Sequence, residues 1–203
     1  MALLLRIALL VSALTLLLVP AANAGLGPLG GSASCGGTIE RPFRPWLDAS
    51  AYVLAPDGGF ENGAAGWALT GGAKVVGGNE SFHVRGRSDS RSLLLPPGST
   101  AMSPPVCMEL TRPWLRLFAR SPQAPLSLVR VQVVSRGLLG VLGIVDGGLV
   151  GATPSWQPSL PLTMLSAALT SPLGTKSVQF KFTALGATST QIDDVYVDPW
   201  AVR

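Results

Sequence analysis

Histidine, cysteine and carboxylates, the residues from which most catalytic sites are built, are scarce in this sequence. Its 203 residues include one histidine, His83, together with two cysteines and eleven aspartates and glutamates. A nucleophilic triad needs a histidine as its base, and the sequence contains neither a G-x-S-x-G elbow nor an H-E-x-x-H motif. No two carboxylates form the recognisable pair that a glycosidase requires. We therefore expect that the protein is not an enzyme.

Clustered positive charge is also missing. The formal net charge is only +4, and the basic residues are scattered apart from one loose group at Arg85, Arg87 and Arg91. Proteins that bind nucleic acid concentrate basic residues on one face, so this composition argues against nucleic acid as a partner. The loose arginine group is typical of a solvated loop.

The longest apolar run lies at the N-terminus. Residues 1–6 carry a positive charge, residues 7–19 are almost entirely apolar, and the small residues Ala22 and Ala24 fit an A-x-A cleavage site. The run is shorter than the ~20 residues that span a bilayer. We predict a signal peptide over residues 1–24, cleavage after Ala24, a secreted product and no transmembrane segment in it. An uncleaved membrane anchor is the alternative.

The two cysteines, Cys35 and Cys107, are an even set of the kind that pairs in an oxidising compartment. A disulfide between them would close a long loop, worth about 4 kcal/mol of stability in the chain-entropy model. Two cysteines and one histidine cannot supply the four ligands of a tetrahedral zinc site. The alternative to a disulfide is a pair of buried free thiols.

Glycine, serine and proline dominate the segment that follows the predicted cleavage site. Residues 25–37 are rich in glycine and serine, and the prolines of residues 42–47 favour an extended backbone. We predict a flexible arm over residues 25–49, whose proline-containing part packs on the surface of one domain over residues 50–203.

Within that domain, apolar and polar residues alternate with a period of two, which is typical of strands with one buried face. Turn residues separate these stretches, and no long segment has a helical period. The expected strands are 74–76 and 81–84, joined as a hairpin through 77–80, and then 92–95, 115–120, 126–133, 178–182 and 192–197. Many short strands predict an all-β domain, either an antiparallel two-sheet β-sandwich or a barrel.

Residues 137–152 are strongly apolar and rich in glycine. They are too few to span a bilayer and they include Asp146. We predict a hairpin, with strands at 138–145 and 149–150 and a tight turn at 146–148. The one helical piece that we expect lies at 162–169.

Two short motifs at the ends of the domain resemble a known family. The chain reads Asp-Gly-Gly-Phe-Glu-Asn-Gly over residues 57–63, with Trp67 shortly after, and Gln-Ile-Asp-Asp-Val-Tyr-Val over residues 191–197. These segments resemble the opening "N-x-G-F-E-x-G … W" and closing "I-D-D-V" motifs of jelly-roll carbohydrate-binding modules of the galactose-binding-like type. The resemblance implies a jelly-roll β-sandwich whose first and last strands lie close together.

The same resemblance implies a structural calcium between these two strands. Its carboxylate ligands would be Glu61 and Asp193, with Asp194 as second choice. Calcium requires six to eight oxygen ligands, of which carboxylates supply the charge. If Val195 and Val197 point inward, the alternation of side chains along the strand places Asp193 inward and Asp194 toward water. The alternative is that these carboxylates only accept hydrogen bonds from backbone amides.

Sugar-binding sites place pyranose rings against exposed aromatic side chains. Trp156, in a proline-rich loop, is the first candidate, and the alternative is that it is a buried tryptophan at the start of a strand. Trp114 and His83 are further candidates. We expect Trp67 to belong to the core. Two functions follow: a module that binds an extracellular glycan or cell-wall polymer, or a structural or protein-interaction domain of the cell envelope that binds no sugar.

Overall fold

The computed structural model describes residues 37–107, 114–136, 142–163 and 177–198. Within these ranges the chain forms fourteen β-strands, numbered here in chain order, and one short 3-10 helix, η1 (Arg44–Trp46). The strands make two antiparallel sheets, which confirms the predicted all-β sandwich. No helix within the described ranges is both long and apolar enough to cross a membrane.

The two sheets draw their strands from the whole length of the domain. The first sheet contains β1 (Ile39–Glu40), β2 (Tyr52–Leu54), β4 (Lys74–Gly77), β5 (Arg91–Leu95), β8 (Trp114–Arg120), β11 (Gln157–Pro158), β12 (Leu162–Thr163) and β14 (Thr190–Val197). The second contains β3 (Ala68–Thr70), β6 (Thr100–Met102), β7 (Val106–Cys107), β9 (Ser127–Arg136), β10 (Leu142–Ala152) and β13 (Ser177–Ala184).

The closing strand, β14, lies inside the first sheet. It pairs with β8 along one side and with both β2 and β5 along the other. The second sheet has the order β10-β9-β13-β6-β3, and β7 also pairs with β13. Because β14 lies beside β2, the start and end of the domain meet, as the resemblance implied.

Alternating side chains from both sheets fill the space between them. Val131 and Val133 of β9 and Phe180 and Phe182 of β13 are at most 1 % exposed, and they pack with Leu93 of β5 across the sandwich. Burying a side chain of this size contributes about 1.5–3 kcal/mol to stability. Trp67 belongs to this core, as expected.

A second, smaller cluster lies apart from the main core and is rich in aromatic residues. Phe43 of the arm is fully buried there, with its ring stacked on Phe118 at 5.4 Å and edge-on to Tyr52 and Tyr196. Residues 39–47, which the sequence analysis placed in the arm, therefore pack on the first sheet. Trp156 completes the cluster.

Two predicted hairpins are wrong. Strand β4 pairs with β5 and not with residues 81–84. Residues 78–90 therefore form a long loop in place of the predicted hairpin turn and second strand. Residues 142–152 form one continuous strand, β10, with a bulge between Asp146 and Gly148 where we expected a turn. The bulge absorbs the glycine, and Asp146 pairs with Arg130 of the neighbouring strand at 2.6 Å.

The expected helical piece at 162–169 begins as strand β12 at Leu162–Thr163, and its remaining residues lie outside the described ranges. The predicted signal peptide and Cys35 lie outside them too. The signal peptide, the cleavage site and the Cys35–Cys107 disulfide therefore stay predictions.

Candidate functional site

The opening motif forms a compact turn held by one aspartate. Asp57 has a left-handed backbone (φ 45°), and its carboxylate accepts hydrogen bonds from the backbone amides of Asn62 (3.1 Å) and Ala65 (2.7 Å). The Trp67 indole donates to the carbonyl of Pro56 at 2.9 Å, so the turn is fastened to the core. Asp57 thus caps the turn in the place where the family motif has asparagine.

The carboxylate of Glu61 ties this turn to strand β5. Its Oε1 accepts hydrogen bonds from the amides of Ser90 and Arg91, each at 2.8 Å. The loop that precedes β5 is therefore fixed to the opening turn by a charge-assisted bond, which is stronger than a bond between neutral groups.

The closing motif contains a bulge that turns both aspartates inward. The pairing of β14 with β8 shifts between Asp193 and Tyr196, and Asp194 has a left-handed backbone (φ 47°). Both aspartates are fully buried, so the expectation that Asp194 faces water is wrong. The period of two fails here because the bulge adds a residue to the strand.

Asp193 is buried but well provided with hydrogen bonds. Its carboxylate accepts from the amides of Glu80 and Asp194, each at 2.9 Å. Burial, together with the nearby charge of Asp194, raises the pKa of Asp193 to about 9, although the two amides act in the opposite direction.

The Asp194 carboxylate has fewer polar contacts than that of Asp193. Neither of its carboxylate oxygens has a hydrogen-bond partner among the described residues, and the guanidinium of Arg85 lies 3.7 Å from Oδ1. Burial raises the pKa of Asp194 to about 7, and Arg85 partly offsets that effect. The same Arg85 nitrogen lies 2.8 Å from Asp89.

Glu80 orders the loop beside the closing motif, a role that its place in a predicted polar turn did not indicate. It is fully buried, and its carboxylate accepts hydrogen bonds from the amides of Phe82 and Val84. The only signal in the sequence is one acidic residue that lies between two glycines and the apolar residues Phe82 and Val84. This carboxylate shapes the 78–90 loop.

The predicted calcium ligands do not form one site as they stand. Oε1 of Glu61 and both oxygens of Asp193 accept hydrogen bonds from backbone amides, which is the alternative that the sequence left open. Across the described ranges, no group of three or more His, Cys, Asp or Glu side chains could hold a metal ion. Calcium needs six to eight oxygens, and calcium binding at these residues stays a prediction of the sequence.

The predicted sugar-binding aromatics are not gathered at one exposed surface. Trp156 is 3 % exposed, with the Arg120 guanidinium 4.8 Å above its ring, so it offers no free face to a sugar. Trp114 is half-buried against the same aromatic cluster, while His83 is exposed in the 78–90 loop with a φ of 53°. Trp156 is therefore a buried tryptophan directly before strand β11, which is the alternative that the sequence left open.

A groove opens instead between the arm and the 78–90 loop. We call it the aromatic groove; it has a volume of about 550 Å³ and is lined by Arg41, Pro42, Pro45, Trp46, Phe82 and Val84. The rings of Trp46 and Phe82 meet edge to face with centroids 4.8 Å apart, and Phe82 is 42 % exposed. The sequence analysis missed this groove because it joins two segments about 40 residues apart, neither of which is a strand.

Sequence comparison finds no family model and no curated protein that matches this chain. Several solved structures are similar to it, and three of them are named here. They are the CBM22-1–GH10 modules of a Clostridium thermocellum xylanase (TM-score 0.50, 11 % identity, 68 % of this chain and 27 % of that one), the tandem CBM22 domain of Paenibacillus barcinonensis Xyn10C (0.50, 14 %, 82 % and 46 %), and the enzymatically active domain of bacteriophage CBA120 tailspike protein 4 (0.51, 12 %, 71 % and 21 %).

This chain therefore spans less than half the length of each of those proteins. At such low identity the likeness concerns the fold. The fold is a jelly-roll β-sandwich like that of carbohydrate-binding modules.

Proposed function

We propose that this chain is a secreted, non-catalytic module that binds an extracellular glycan or cell-wall polymer in the aromatic groove. The observation that carries the proposal is the pairing of Trp46 with a solvent-exposed Phe82 beside the exposed Arg41. Secretion rests on the signal sequence of residues 1–24. The jelly-roll fold supports the proposal, and one similar structure contains CBM22-1–GH10 modules complexed with xylohexaose.

The groove has the size and the chemistry that a short stretch of sugar chain requires. Its volume of about 550 Å³ lies within the range of ~300–1,000 Å³ that is usual for small-molecule sites. The apolar C–H face of a pyranose can lie on Phe82 and on the accessible part of Trp46. Arg41 presents N–H donors to ring hydroxyls or carboxylates, since a guanidinium has five of them.

Removing the Phe82 side chain should weaken binding without impairing folding, because Phe82 is the most exposed aromatic residue of the groove. We expect Phe82→Ala to weaken binding to the best polymer about tenfold or more, which corresponds to ~1.4 kcal/mol. The measurement is depletion of the secreted protein by a panel of insoluble polysaccharides, followed by calorimetry with the matching oligosaccharide.

Leu160→Ala is the matched control, because Leu160 is 83 % exposed and does not line the groove. It should bind as the unchanged protein does. Two results would contradict the proposal: no polymer in the panel retains the protein, or Phe82→Ala binds as tightly as Leu160→Ala.

One observation favours the second candidate, a protein-interaction domain of the cell envelope. Strand β10 is the last strand in the described order of its sheet, and it presents Ile144 (57 % exposed) and Leu149 (52 % exposed) to solvent. Edge strands with exposed apolar residues are common sites of protein association. Failure of every polysaccharide to bind, together with self-association or envelope retention that Ile144→Ser abolishes, would favour this candidate.

A further inference from the structure

The bulge of β14 places two adjacent carboxylates, Asp193 and Asp194, in the protein interior. Asp193 is satisfied by two backbone amides, whereas both oxygens of Asp194 lack a hydrogen-bond partner in the part of the chain that the structure describes. Further negative charge comes from Glu80, Asp89 and Glu40, which all act on Asp194. A buried ionised carboxylate without a partner is strongly unfavourable, so a cation close to Asp194 would stabilise its charged form.

Arg85 is the residue that reaches this cluster. Its guanidinium lies 3.7 Å from Asp194 and 2.8 Å from Asp89, and its side chain is 27 % exposed. The nearest backbone is that of Gly59 in the opening motif, where an added Cβ would collide with the Arg85 Nη1 atom and lie 3.0 Å from Asp194 Oδ1. Glycine at this position therefore makes room for the guanidinium beside the carboxylate.

We propose that Arg85 is the resident cation of this cluster and takes the structural role that the sequence resemblance assigned to calcium. The proposal does not depend on sugar binding. An arginine suits the surroundings because its guanidinium already lies beside both Asp194 and Asp89, whereas calcium would require six to eight oxygen ligands.

Arg85 also connects the cluster to the aromatic groove. It belongs to the 78–90 loop, three residues after Phe82 and directly after Val84. Holding the guanidinium against Asp194 and Asp89 therefore fixes the loop that forms one wall of the groove. In this arrangement a side chain of the protein, and not a metal ion, fastens the loop to the closing strand.

The first test is the response of the unchanged protein to calcium and to a chelator. We expect the melting temperature at pH 8 to be the same with excess EDTA and with millimolar calcium, and elemental analysis to find no stoichiometric metal. A chelator-induced fall in melting temperature, or one calcium per chain, would overturn the proposal.

The second test removes the guanidinium and keeps the length of the side chain. Arg85→Met should lower the melting temperature at pH 8 by on the order of 5 °C. Arg87→Met, two residues along in the same exposed loop, should change it by less than about 1 °C. Asp194→Asn, which removes the charge that the guanidinium faces, should restore much of the loss caused by Arg85→Met.

Equal melting temperatures for the Arg85 and Arg87 variants would show that the guanidinium stabilises nothing and would overturn the proposal. If Arg85→Met does not fold, the same measurements on Arg85→Lys test the proposal instead. The lysine variant keeps the charge and should melt closer to the unchanged protein, still without a response to calcium. A lysine variant that folds only when calcium is added would contradict the proposal.

Discussion

At the scale of single residues, the opening and closing motifs identified carboxylates that order the backbone around them. Glu61 and Asp193 each accept hydrogen bonds from two backbone amides, and calcium binding at these residues stays a prediction. Asp194 is buried because a bulge interrupts the alternation on which its expected exposure rested. A bulge depends on pairing between strands, and the local sequence carries no clear signal for it.

The buried aspartates make stability depend on pH. The pKa values of Asp194 and Asp193 are raised to about 7 and about 9. Between pH 4 and those values the folded state holds protons that the unfolded state has released, so raising the pH costs stability. We expect the melting temperature to fall steadily from pH 5 to pH 9. The pKa of Asp48 is lowered to about 2, so its contribution to stability is lost only at pH values below this range.

Asp194→Asn should flatten the part of this profile between pH 5 and pH 7, as measured by calorimetry at several pH values. Asp146→Asn is the control, since its side chain is 52 % exposed and should leave the slope unchanged. A melting temperature that stays constant or rises from pH 5 to pH 8 would show that these carboxylates are ionised without penalty.

At the scale of elements, alternation predicted the long strands and failed for the loops. Strands β5, β8, β9, β13 and β14 lie where the sequence predicted strands, although β8 and β14 are buried on both faces. The 78–90 loop was mistaken for a hairpin because its glycines and asparagine are also typical of tight turns. Its actual course depends on a buried side chain, Glu80, whose partners are backbone amides.

Glu80→Gln should therefore loosen this loop. The amide side chain has one acceptor oxygen in place of two, so the amide of Phe82 or Val84 loses its partner and meets an N–H donor. We expect a loss of about 1–3 kcal/mol in the free energy of unfolding, measured by denaturant titration. Faster hydrogen exchange should be confined to the 78–90 loop.

Lys74→Gln serves as the comparison, because Lys74 is exposed on the adjacent strand β4. It should change neither the unfolding midpoint nor the exchange rates. Unchanged protection of the Phe82 and Val84 amides in Glu80→Gln would mean that the Glu80 carboxylate does not hold the loop.

At the scale of the whole molecule, the arm and the domain form one structure. Arg116 of β8 is 4 % exposed and bonds both Asp48 at the end of the arm (2.6 Å) and the carbonyl of Ser159. Phe43 is buried in the aromatic cluster, and Trp46 forms one wall of the groove. The sequence predicted that the arm packs on the domain, but the groove arises only where the arm meets a distant loop.

Whether the aromatic groove binds sugar is tested by an NMR titration with the best oligosaccharide, in which the backbone amide shifts are measured. We expect saturable shifts centred on residues 41–46 and 82–84, with little change on β10. Shifts centred on Ile144 and Leu149, or none at saturating sugar, would contradict the claim.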